Sequence, residues 1–99
     1  MSNTENILVF TIKDGSILID KKKSANIKNF IADLQGVDLA TINKIKDKFI
    51  TFDKSISYKK GSFVIVCKFL FDNKLTIVPT LQEAYDYIEM EEIERQLNI

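Results

Sequence analysis

The chain has no histidine, no tryptophan, a single cysteine, a single proline and three glycines in 99 residues. The missing histidine removes the commonest general base, every histidine-containing zinc site and any histidine-dependent triad. The lone Cys67 cannot form an intramolecular disulfide, the staple on which many small secreted domains rely. It sits in the apolar run SFVIVCKF and reads as a buried thiol rather than a reactive one. Transition-metal binding would need a cage of carboxylates, and no Asp- and Gly-rich calcium loop occurs, so neither metal nor cofactor is expected. No apolar run approaches the roughly 20 residues that cross a bilayer. The start, MSNTENILVF, has no basic stretch leading to a small-residue cleavage site, and the expected location is therefore cytoplasmic, away from membranes.

What is present is enough to fold. A hydrophobic content of 45%, with 28% charged residues, fits one compact domain spanning residues 1–99 and excludes collagen-like or low-complexity chains. The net charge is zero, yet it is divided along the chain. Residues 1–80 carry 13 lysines against 8 acidic residues, whereas residues 81–99 carry Glu83, Asp86, Glu89, Glu91, Glu92 and Glu94 against Arg95. A basic body thus precedes an acidic end.

Local patterns predict an α/β domain of about five strands packed by helices. Two β-branched runs around Asp14-Gly15 predict a hairpin, with strands near 6–12 and 16–20. Ser24 is placed to cap a helix over 25–35 that uses Ile27, Phe30, Ile31 and Leu34 and stops at Gly36. Residues 37–48 predict a short helical turn capped by Asp38, with an irregular connection as the alternative. The continuous runs Phe49–Phe52, Phe63–Cys67 and Leu75–Val78 predict interior strands. Their connections, 53–61 and 68–74, are shorter than a helical crossover usually needs. Asp72-Asn73 leaves an antiparallel hairpin open as an alternative to parallel pairing of the last two strands. After Pro79, Thr80-Leu81-Gln82-Glu83 is a capping box that opens a long terminal helix.

That helix carries two apolar faces. At about 100° per residue, Leu81, Ala84, Tyr85 and Ile88 form one, suited to a sheet, while Met90, Ile93 and Leu97 form a second one roughly opposite. One straight helix cannot bury both on the same sheet. Either it kinks near Glu89 or frays, or its second half offers Met90, Ile93 and Leu97 to another protein or a second copy, with Glu91 and Glu94 at the rim. The acidic residues there would complement a basic partner or the lysine-rich body of the same chain, or simply form a solvated face.

The segment KLTIVPTLQEAYDYIEMEEIERQL resembles the last strand and helix of STAS-like domains, the fold of bacterial anti-sigma factor antagonists. It is most similar to short bacterial STAS-like proteins ending in a VVPTLQEAxDxIEMEEIERDL type of segment. SFVIV at 62–66 and SANIKNFIADL extend the likeness more loosely. Members of that group often carry the label ribonuclease Z, whose metal sites need several histidines that this chain lacks. The resemblance implies a mixed sheet flanked by helices, with shortened crossovers in this chain, and binding rather than catalysis. It also implies a phosphorylated serine at the start of the helix after the third strand. Here DKSISYKKG replaces that Asp-Ser-Ser-Gly type of motif, leaving Ser55 and Ser57 as weak phosphosite candidates in a loop.

No Gly-rich phosphate loop, nucleophile elbow or paired-carboxylate signature points to an enzyme. Lys21–Lys23, Lys44, Lys46, Lys48, Lys59 and Lys60 raise nucleic-acid binding, but one arginine and a pI near 6.2 weigh against it. A non-enzymatic protein-interaction module is the expectation, with a homodimer as the alternative.

Overall fold

A computed structural model describes residues 7–13, 16–17 and 27–97. Strand β1 (Ile7–Phe10) leads into β2 (Ile12–Lys13), which pairs antiparallel with β3 (Ser16–Ile17) in register Ile12 to Ile17. The pairing brackets Asp14-Gly15. That turn, residues 18–20, Lys21–Lys23 and the Ser24 cap all lie outside the described residues. Then come β4 (Asn29–Asp33), helix α1 (Leu39–Tyr58), β5 (Ser62–Val66), β6 (Ile77–Val78) and helix α2 (Leu81–Leu97). Among the described residues the main sheet has four strands in the order β1-β4-β5-β6, and every pairing in it is parallel. The α/β class holds, whereas the mixed sheet of about five strands does not describe this one.

Residues 29–33 form a strand, not the middle of a helix. Phe30, Ile31 and Leu34 fit helical spacing, but Asn29 just before them and Ala32 among them are buried as well. Burial on both faces is the mark of an interior parallel strand, where near-continuous apolar runs erase any period. Gly36 does adopt a left-handed φ of +83°. It serves the turn from β4 into α1, where the Val37 N–H donates to the Leu34 carbonyl.

Phe49–Phe52 is helix, not an interior strand. Residues 37–48 are no isolated turn but the first part of α1, with Asp38 as N-cap accepting from the Thr41 N–H at 3.0 Å. Ile42, Ile45, Phe49, Phe52 and Ile56 recur at three- and four-residue spacing along one face. The crossover from β4 to β5 therefore has a 20-residue helix of its own and is not shortened. Phe52 packs edge-on against Phe10, Phe30 and Phe63 at centroid distances of 5.7, 5.2 and 4.9 Å. Such pairs contribute about 0.5–1.5 kcal/mol each beyond area burial.

Helix α1 ends in a Schellman arrangement: Gly61 N–H donates to the Ile56 carbonyl and Lys60 N–H to that of Ser57, with Lys60 itself at φ 62°. Gly61 is required for space. A Cβ there would lie 1.9 Å from the Lys28 carbonyl oxygen.

Between β5 and β6 no helix intervenes. Asp72 makes a local turn, its carboxylate accepting from the Lys74 N–H at 2.8 Å, but β6 pairs parallel, so the hairpin alternative is excluded. Buried Leu75 and half-buried Phe71 tuck this connection into the α1 side of the sheet.

Alternation along the strands sends Phe30, Ala32, Phe63, Ile65 and Cys67 to the α1 face. Ile31, Val64 and Val66 go to the opposite face, where Ala84 and Ile88 of α2 cover them.

Candidate functional site

Thr80 caps α2, its hydroxyl accepting from the Glu83 N–H at 3.2 Å. The first half of α2 behaves as its pattern predicts: Ala84 and Ile88 are buried, and Leu81 and Tyr85 pack around them. The helix continues to Leu97, and Met90, Ile93 and Leu97 stay exposed, so the second apolar face is not turned onto the sheet.

Instead, the sheet-facing stripe changes chemistry. Glu92 and Arg95 continue the line of Leu81 and Ile88, and they meet polar groups at the N-terminal ends of β4 and β5. Asn29 and Ser62 stand opposite each other in the parallel register, and both are buried. The Asn29 amide donates to Glu92 Oε1 at 3.0 Å, while its oxygen accepts from the Ser62 N–H at 3.0 Å. Arg95 donates to Ser62 Oγ at 3.1 Å and to Asn29 Oδ1 at 3.4 Å, and it pairs with Glu92. Among the described residues no buried side-chain polar atom is left without a partner.

The Asn29 hydrogen bond, helped by Arg95, holds the Glu92 carboxyl below the usual glutamate range. The cluster is suited to holding the helix rather than to proton transfer. The guanidinium on the Ser62 hydroxyl is a donor without an acceptor and cannot take its proton. A cavity of about 230 Å³ adjoins it, lined by Lys28, Lys60, Glu92, Arg95 and Gln96. This tether was missed as a site in the sequence. The signal available was Glu92 and Arg95 falling on the sheet-facing stripe where apolar residues would be expected.

The consequence lies on the other side of α2. Met90, Ile93 and Leu97 are 62%, 48% and 78% exposed, and Tyr87 is exposed beside them. Glu94 is exposed and Glu91 half-buried at the borders.

Ser55 and Ser57 are not loop residues; both are exposed in the last turn of α1. This is the end of the helix whose dipole disfavours a phosphate, and it lies opposite the helix start at which the resemblance places a phosphorylated serine. Lys44, Lys48, Lys59 and Lys60 are exposed along and beyond α1, and Lys46 is half-buried. Cys67 is a buried free thiol whose sulfur accepts from the Phe69 N–H at 3.4 Å. It borders a cavity of about 330 Å³ between the ends of β4 and β5 and the start of α1. Among the described residues there is no cluster of potential metal ligands, and no helix is long and apolar enough to cross a membrane.

No family model, curated protein or solved structure matches the chain.

Proposed function

We propose that the protein is a non-enzymatic interaction module of STAS-like type, and that it binds another protein through Met90, Ile93 and Leu97, with Glu91 and Glu94 at the rim. The observation that carries this reading is the exposed apolar stripe on a helix fixed to its sheet by separate residues on its other side. Three large apolar side chains at i, i+3 and i+7 are the pattern that a groove or a second helix recognises. The STAS-like part rests on the residues of β6, Pro79 and α2. Phosphorylation control is left out, because Ser55 and Ser57 occupy the unfavourable end of α1.

The test is recovery of binding proteins from cytoplasmic extract with the wild-type chain and with Ile93→Lys, each verified as folded by circular dichroism. A protein retained by the wild type and lost with the variant supports the module. Identical recoveries by both baits would remove α2 as the binding surface.

A further inference from the structure

The charge around the apolar stripe selects among its possible occupants. At about 100° per residue, Tyr87, Met90, Ile93 and Leu97 lie within a sector of roughly 120° centred opposite Ile88. Glu83, Asp86 and Glu94 fall inside that sector, and Glu89 and Glu91 flank it, each about 40° beyond an edge. Helix α2 contains no lysine, and its one arginine is spent on the sheet side, where Arg95 bonds Glu92, Asn29 and Ser62. The outward surface of α2 is therefore apolar and acidic, with no cation of its own.

A two-fold dimer through α2 would set this patch against itself, placing the same five carboxylates on both sides of a drying interface. Anionic lipid surfaces and nucleic acid are disfavoured by the same charge. A segment bearing lysine or arginine on both sides of an apolar line would bury the stripe and neutralise its borders together. Resting on the interaction reading above, we infer that α2 takes a basic amphipathic helix of a different protein, not a second copy of this chain.

The experiment uses the full chain and two synthetic helical peptides that share a leucine face, one with lysine and one with glutamate on the polar face, followed by fluorescence anisotropy. The leucine–lysine peptide binds, and the leucine–glutamate peptide does not. Its affinity falls about 10-fold or more when salt is raised from about 0.05 to 0.3 M, because Glu83, Asp86, Glu89 and Glu94 are solvent-exposed. Asp86→Lys combined with Glu94→Lys produces a loss of similar size, and Ile93→Lys abolishes binding, with circular dichroism unchanged for each variant. Equal binding of both peptides, or of neither, overturns the inference. So does a dimer in light scattering that Ile93→Lys dissolves. The interaction reading survives a failed peptide test if Ile93→Lys still loses its extract partner, so the two failures are distinguishable.

Discussion

The two faces of the sheet are covered by helices built on different plans. Helix α1 is committed to the interior along its length: Ile42, Ile45, Phe49 and Ile56 are buried and Phe52 completes an aromatic cluster with Phe10, Phe30 and Phe63. Helix α2 buries only Ala84 and Ile88, over a small patch of Ile31, Val64 and Val66, and then changes to polar attachment. The first is anchored by area removed from water. The second is anchored partly by geometry, through hydrogen bonds that fix its rotation and leave an apolar stripe outside. A helix held in that way can present Met90, Ile93 and Leu97 without needing them for its own packing.

Substitutions should widen or erase that contrast. Phe49→Ala, at a fully buried aromatic of the α1 face, is expected to cost about 3–5 kcal/mol, a large share of the stability of a domain of this size. Denaturant unfolding would read this as a midpoint shift larger than that for Thr80→Ala, which removes the α2 cap at a cost of about 1 kcal/mol. Next comes Gly61→Ala, where the new methyl meets the Lys28 backbone instead of a flexible side chain, and about 3 kcal/mol is expected to be lost. If this variant melted like wild type, the close approach of the α1–β5 junction to Lys28 would be wrong.

Arg95→Ala follows, at about 1–3 kcal/mol for bonds to Glu92, Asn29 and Ser62. Its effect depends on pH. The Glu92 pKa is lowered by folding, so the contribution of Glu92 is present above the ordinary glutamate pKa and is lost as pH falls through the folded value. The gap between wild type and Arg95→Ala should narrow in urea melts at about pH 3 compared with neutral pH. Asp53 works in the opposite sense, since burial, with the Glu91 charge behind it, raises its pKa and acid relieves the penalty. The wild-type profile combines both, and for this reason the comparison with Arg95→Ala is the informative quantity.

Much of α2 was legible in the sequence because its signals are local. Thr80 and Glu83 mark its start, and the change from Leu81, Ala84 and Ile88 to Met90, Ile93 and Leu97 is visible on a helical wheel. The strand at 62–66 was legible for a similar reason, being a short apolar run bounded by Gly61. For residues 29–33 and 49–52 the local pattern points the wrong way, to a helix for the strand and to a strand for the helix. Both are short apolar runs, and their periodicity does not separate a doubly buried strand from a helix facing a core. For the second run the arbiter was available over a longer window, in the spacing from Ile42 to Ile56. For the first it was not, because what makes Asn29–Asp33 a strand is its place between β1 and β5, a fact of tertiary pairing. The polar tether was hidden for the same cause: Asn29 and Ser62 become neighbours only through the β4–β5 register.

Helix α2 buries one apolar face against the sheet and leaves the other exposed, and two lysine substitutions five residues apart separate the two. Equilibrium unfolding of Ile88→Lys and Ile93→Lys should give opposite results: an uncompensated charge at fully buried Ile88 prevents stable folding, while Ile93→Lys stays within about 0.5 kcal/mol of wild type. If Ile93→Lys is destabilised as severely as Ile88→Lys, the outer stripe belongs to the core and the account of a presented surface is contradicted.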